Sequence, residues 1–384
     1  MKIEKIELRH IRLEHAEPFE TSFGRFTERH LVILKVFTDI GTTHCEAPSL
    51  IGPYYTYETT QTTMHIIRDF IAPALLDRAV DSIEALNDAI AFVRGHNIAK
   101  SALDTAWFHL SAAHAGLSLS RFLGGTRDFI EVGISVGIQP DLDTLVRYVE
   151  RSLKAGYARI KIKIKPGWDI EPVRILRQTF GNIPLMVDAN SAYRLSDMGV
   201  FQALDPFELL MIEQPLGFDD IYDHSKLQGQ IATPICLDES INTVADAQVA
   251  LELGACRVIN IKLSRVGGLM PAKKIHDMCQ DSGIPVWCGG MFESAIGQAD
   301  CIALASLPNF KFPADIAPSK RYFKRDLIKP FITLEGGRVK VPTAAGLGFP
   351  IDEDVLEECT VEKEVLVPSC ANSRGRGSEI VAEP

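Results

Sequence analysis

The sequence predicts an α/β protein whose central part is a closed barrel, with a separate α+β unit ahead of it. Three observations predict this. Five ionisable residues, Lys163, Asp188, Glu213, Asp238 and Lys262, stand at steps of 25, 25, 25 and 24 residues, and each closes a short apolar run (ARIKIK, IPLMVD, LLMIE, PICLD, RVINIK). A strand plus its crossover helix occupies about that length, so the spacing reads as one charge per βα unit. Eight strand candidates follow one another with amphipathic helical stretches between them. An open doubly wound sheet would carry a Gly-rich phosphate fingerprint after its first strand, and the sequence has none.

The elements follow in chain order. Met1 to Leu13 alternates charged and aliphatic residues and predicts a strand, as does His30–Thr38, with a Phe- and Gly-rich loop from Glu17 to Glu28 between them. Residues 58–123 switch to helical periodicity, which makes residues 1–125 an α+β unit. The barrel is expected over 126–324, with strands at 130–137, 158–164, 184–188, 208–213, 234–238, 257–262, 284–288 and 310–315. Residues 325–365, where alternation returns (FITLEGGRVKVP), are expected to pack back on the N-terminal unit. The tail, 366–384, lacks an apolar period and is expected to be disordered.

Composition narrows the function. The chain has 384 residues, 46% of them apolar and 23% charged, as in soluble globular proteins with a sizeable core. A net charge of −10 without any basic run disfavours nucleic acid as a partner. No apolar stretch approaches the length of a membrane span, and the charged N-terminus is not a signal peptide. Eight scattered cysteines without CxxC spacing read as reduced thiols of a cytoplasmic enzyme.

Charges at the C-terminal ends of successive parallel strands converge on one small volume, where such barrels place their chemistry. In ARIKIKI, Ile160, Ile162 and Ile164 share one face and Arg159, Lys161 and Lys163 the other. The aliphatic face suits the surrounding helices, so the basic side chains are expected inside the barrel. There two neighbouring ammonium groups would depress each other's pKa and favour a base near neutral pH. Asp188, Glu213 and Asp238 offer hard oxygen donors, which select Mg²⁺ or Mn²⁺ over zinc. Asn190 faces the same way as Asp188, whereas Glu239 is expected to point elsewhere, as a group that supports the site from behind. Lys262 lies across the barrel from Lys163, and Arg265 is placed to tune Lys262 or bind a carboxylate. Either both lysines move protons or one does so while the other steadies an anion. None of the ten histidines falls at a predicted strand end, so the base is lysine. A Schiff-base aldolase would use the same lysines but not the three acids.

The ordered set RIKIKIKPGWD, MVDANSAY, IEQPL, TPICLDES, NIKLSRVGG and IPVWCGGMFE resembles the enolase superfamily, in its muconate-lactonising-enzyme-like subgroup. Within it the sequence is most similar to o-succinylbenzoate synthases that also racemise N-acyl (N-succinyl) amino acids. The resemblance implies a (β/α)7β TIM-like barrel with an N-terminal capping domain completed by the C-terminal segment. It implies Lys163 as base with Lys161 as partner, Lys262 as the opposite lysine, and Asp188, Glu213 and Asp238 as Mg²⁺ ligands. Ser135, Asn190 and the turn Gly289, Gly290, Met291 would contact a small carboxylate substrate. The loop carrying Phe19 and Phe23 and the segment around Tyr55 would form specificity lids. Arg265 matches an arginine associated with the racemase branch, and a homo-oligomer is expected. Muconate-type cycloisomerisation stays open on the core residues alone. Dipeptide epimerisation is disfavoured, because that branch has a DxD on strand 8, whereas Asp315 is followed by Ile316 and Ala317. One departure is Ala295, where relatives usually have Gly.

Overall fold

A computed structural model describes residues 1–21, 24–316 and 318–368, with side chains throughout except at residues 19–21. Two of the expected lid residues are affected: Phe23 lies outside the described residues, and the Phe19 side chain does too. The tail from 369 onward is likewise outside them.

The chain opens with three antiparallel strands, β1 (Ile3–Thr21), β2 (Gly24–Thr38) and β3 (Gly41–Ala47). Within the expected loop from Glu17 to Glu28, residues 17–21 instead continue β1 and residues 24–28 begin β2. Phe19 pairs with Phe26 and Thr21 with Gly24, beyond an irregularity between Glu14 and Phe19. The last described strand, β13 (Thr360–Leu366), adds to the free edge of β1, giving the order β13-β1-β2-β3. The run LVIL in β2 has no polar alternation because both faces of this sheet are covered. Val32 and Leu34 pack with Met64, Ile67 and Leu103, while Leu31 and Ile33 pack with Val355 and Leu356 of the helix Glu353–Cys359.

Seven parallel strands form the barrel in sequential order: β5 (Gly133–Val136), β6 (Arg159–Lys163), β7 (Leu185–Asp188), β8 (Ile212–Glu213), β9 (Ile235–Leu237), β10 (Val258–Ile261) and β11 (Val286–Cys288). β8 is shorter than the expected 208–213, because Asp205–Phe207 makes a helical turn and Glu208 has a left-handed φ of 50°. The eighth segment, expected as a strand at 310–315, makes only single bridges, Val286 to Phe310 and Val132 to Ala314. Pro313 has no N–H to continue a ladder there. The segment still closes the ring, with Asp315 N donating to Cys288 O at 2.9 Å and Gly133 N to Ala314 O at 2.9 Å. A short strand, β4 (Phe129–Glu131), pairs antiparallel with β12 (Arg338–Lys340) outside the ring.

The period of two explains what the barrel holds. Met186, Met211, Cys236, Val258 and Trp287 form one buried apolar floor. Two residues further along their strands come Asp188, Glu213, Asp238 and Asn260, all buried. Each strand thus supplies an apolar layer below and a polar layer above, the layered filling of such barrels. No described helix is long and apolar enough to cross a membrane. The seven described cysteines are free thiols, six of them buried.

Candidate active site

The polar layer sits at the C-terminal ends of the strands, where the backbone is unusual. Asn190, Ser191, Gln214 and Phe292, just past β7, β8 and β11, all have positive φ. Non-glycine residues hold that conformation only where surroundings over-determine it, which is common at functional sites.

β6 pairs with β7 so that Lys163 stands opposite Asp188, and Lys163 Nζ donates to Asp188 Oδ2 at 2.6 Å and to Asn190 Oδ1 at 2.6 Å. Asn190 passes the contact on: its Nδ2 donates to Glu239 Oε1 at 2.9 Å, so Glu239 supports the site from behind Asn190. Lys161 Nζ lies 3.1 Å from Glu213 Oε2, 3.5 Å from Asp188 Oδ2 and 2.6 Å from Asp315 Oδ2, above the Trp287 ring. Across the barrel Lys262 Nζ donates to Asp238 Oδ2 at 2.8 Å and to the Tyr55 hydroxyl at 2.9 Å. Tyr55 comes from the N-terminal unit, and its hydroxyl also donates to Asp238.

The expected depression does not appear at Lys161. Burial alone would lower the Lys161 pKa, but Asp315, Glu213 and Asp188 outweigh it and hold the ammonium well above its ordinary value. Lys262 is raised as well: Asp238, Tyr55 and Glu239 overcome burial and the opposing charge of Arg265. Carboxylates crowded around each ammonium decide the sign.

The three acids are not interchangeable. Asp238 is buried, yet Arg265 and Lys262 hold its carboxyl far below the usual range. Glu213 goes the other way, pushed up to about 8 by burial and by the neighbouring charges of Asp188 and Asp238. Its Oε1 accepts from Asn260 Nδ2 at 2.7 Å, while its Oε2 receives no well-aligned hydrogen bond despite the nearby Lys161 ammonium. Among the described residues, no three side chains already stand as a ready metal-ligand array. The donor set nonetheless fits a hard divalent cation: three oxygen-only side chains, mutually repelling, one with an unsatisfied buried oxygen.

One cavity spans the seam between the N-terminal unit and the barrel. Its floor is Lys161, Lys163, Asn190, Lys262 and Asp315, and its walls include Ser135, Gly290, Met291 and Phe292. From the N-terminal unit come His15, Phe26, Glu28, Arg29, Leu50, Ile51 and Tyr55. Among the expected substrate contacts whose side chains are described, two do not line it. Arg265 is buried with its guanidinium spent on Asp238, Tyr55, Ile241 O and Asn260 O. Gly289 lies below, where an added Cβ would meet the Asn260 side chain at 2.3 Å. In this structure Arg265 and Gly289, expected as contacts, stand beneath the cavity and support it.

Sequence reasoning missed two groups. Asp315, 2.6 Å from both Arg159 and Lys161, neutralises the inward basic pair. Arg29 had no pattern to mark it, standing between Glu28 and His30 in the polar half of β2.

Models of two families match the chain: the N-terminal domain of mandelate racemase / muconate lactonizing enzyme over residues 5–124, and the enolase C-terminal domain-like family over 144–355. The chain is 46% identical over 361 residues to an o-succinylbenzoate synthase of Geobacillus kaustophilus, covering 94% of this chain and 96% of that one. It is 43% identical over 364 residues to an N-succinylamino acid racemase of Amycolatopsis, covering 94% and 99%. Among solved structures, an enolase superfamily member from Listeria innocua superposes with a TM-score of 0.93 at 38% identity, covering 96% and 99%.

Proposed function

The chain belongs to the enolase superfamily, in its mandelate racemase / muconate lactonizing enzyme branch, and on that footing we propose that it is a Mg²⁺-dependent o-succinylbenzoate synthase. It dehydrates 2-succinyl-6-hydroxy-2,4-cyclohexadiene-1-carboxylate, and racemisation of N-succinyl amino acids is a second activity of the same site. Relatives of both names align over nearly the whole chain. The observation that carries the reading is one cavity with Lys163 and Lys262 on its floor, from strands on opposite sides of the ring, and Asp188, Glu213 and Asp238 beneath.

Enzymes of this kind generally use a divalent metal, and Asp188, Glu213 and Asp238 would hold it as Mg²⁺. Bound there, the cation supplies electrostatic stabilisation for the charge that develops on the substrate carboxylate. The chain's own residues handle the proton. Lys163 removes it from the carbon next to the carboxylate, steered by Asn190 and Asp188. Returning that proton to the departing hydroxyl completes loss of water and leaves the aromatic product. Lys262, fixed by Asp238 and Tyr55, steadies the anion during dehydration. In racemisation it gives a proton to the face opposite Lys163. Phe292, Met291 and the Leu50–Ile51 segment wall the reacting carbon off from water.

The test is incubation with each substrate in Mg²⁺, following aromatic absorbance for one and loss of optical rotation for the other. Turnover that stops with EDTA and returns with Mg²⁺ is expected. No turnover of either substrate sinks the assignment.

A further inference from the structure

Arg29 is buried in β2 at the edge of the cavity, and all five of its N–H groups are used on backbone carbonyls. Nη1 donates to His30 O at 3.1 Å and Ser49 O at 2.8 Å. Nη2 donates to Pro48 O at 2.5 Å and Met291 O at 3.0 Å, and Nε to Phe292 O at 3.2 Å. Among the described residues no carboxylate forms an ion pair with it; the charges of Glu46 and Glu293 act from further off. An arginine buried for its charge would face an acid. This one is used for the shape of its fork.

The carbonyls it gathers belong to the two walls of the cavity. Pro48 and Ser49 lead into the segment that carries Leu50, Ile51 and Tyr55. Met291 and Phe292 form the turn after β11, where Phe292 is held at a φ of 56°. A bulky residue in that conformation costs energy and needs outside support. Neighbouring groups grip the same turn. Glu293 Oε1 accepts from Met291 N at 2.8 Å, and Glu46 of β3 accepts from Ser294 N at 3.1 Å.

We infer that Arg29 is a positioning residue for the reaction, a clamp that sets the Leu50–Tyr55 wall and the Met291–Phe292 wall at one fixed separation. This rests on the functional reading above for its kinetic consequence, but not for its structural one. Lysine cannot replace it, because a single ammonium has three donors on one atom and cannot span five carbonyls in three segments. Loosening the walls misplaces substrate while leaving both lysines and the acids untouched.

The experiment uses Arg29→Lys and Arg29→Met in the full-length protein. Hydrogen–deuterium exchange should quicken in peptides covering 48–57 and 289–294 and stay unchanged in the barrel floor. For both substrates kcat/KM should fall by roughly 10²-fold, as for a displacement of about 1 Å. KM should carry much of that loss, and the ratio of dehydration to racemisation should change, whereas a lower folded fraction would scale both activities equally with KM intact. Folded variants with unchanged exchange in those two segments, or with KM and activity ratio within about twofold of wild type, overturn the inference. So does failure of both variants to fold, which would make Arg29 a folding residue. If the wild type turns over neither substrate, the functional reading fails alone, and the exchange result still decides the clamp.

Discussion

At the scale of single residues, the two lysines are alike in placement but not in role. Both end or follow barrel strands, both line the cavity, and both touch an acid of the polar layer. Dehydration needs one base and a nearby cation, whereas racemisation needs a proton carrier on each face. Lys262→Arg separates these demands, because arginine keeps the charge and cannot give up its proton near neutral pH. Racemisation should drop by about 10³-fold or more and dehydration by far less, while Lys163→Ala should abolish both. Stopped assays in D₂O check this: α-deuterium incorporation from one face only should survive in Lys262→Arg. Equal loss of both reactions would mean that Lys262 carries protons in the synthase reaction too.

These residues were legible because strand ends recur at a fixed interval, so five charges formed a pattern that no single residue could. Asp315 and Arg29 carry comparable consequences without any pattern. Asp315 sits on a segment that Pro313 keeps from being a strand, and Arg29 acts through backbone carbonyls, which sequence does not display. Tyr55 was placed on a lid by resemblance. That its hydroxyl would reach Asp238, Lys262 and Arg265 is a fact of docking, visible only in three dimensions.

At the scale of elements, several helices begin on an acid borrowed from elsewhere in the chain. Asp104 in the helix Asn97–His114 accepts from Leu269 N at 2.5 Å and Met270 N at 3.3 Å, the start of the barrel helix Leu269–Asp281. That helix follows Gly268, which has no side chain to cap with, so the N-terminal unit supplies the acceptor. Glu58 serves the helix Asn97–His114 in the same way through Ile98 N at 2.8 Å and Ala99 N at 3.1 Å. Burial pushes the Asp104 carboxyl up to about 7, despite the two backbone donors that pull it down. The folded state therefore keeps a proton that the unfolded chain releases near pH 4. This contribution to stability is fully present below that pH and is lost as pH rises toward 7. Asp104→Asn removes the titration, so its stability relative to wild type should improve steadily between pH 4 and 7, by on the order of a few kcal/mol. Urea midpoints of the two proteins across that range test it. A difference that stays flat with pH would show that Asp104 is already ionised in the folded protein.

The same scale explains which elements were misjudged. Strand ends were legible from apolar runs closing on a charge, but the second half of each hairpin or crossover depends on partners distant in sequence. β1 and β2 extend past their apolar stretches because they pair with each other, and β13 becomes a strand because β1 offers it an edge.

At the scale of the whole molecule, the N-terminal unit and the barrel form one folding unit. Ile3, Val32 and Leu103 of the first share a continuous buried core with Ile160, Ile212 and Ile259 of the second. The polar links run the same way: Arg29 to Met291, Glu46 to Ser294, Asp104 to Leu269 and Tyr55 to Asp238. Chain order adds a topological reason. The four-stranded sheet takes β1, β2 and β3 from the start of the chain and β13 from beyond the barrel, so it is complete only when both ends have come together. Separate domains joined by a mobile linker would instead keep their cores and polar groups apart. Unfolding should therefore be a single transition despite the length of the chain. Tryptophan reports from each part: Trp107 lies in the helix Asn97–His114 and Trp287 in the barrel floor. Variants retaining only Trp107 or only Trp287 should give the same urea midpoint, coincident with the loss of far-ultraviolet circular dichroism. Two midpoints, with Trp107 changing first, would mean that the N-terminal unit melts from an intact barrel and that the links across the seam act locally.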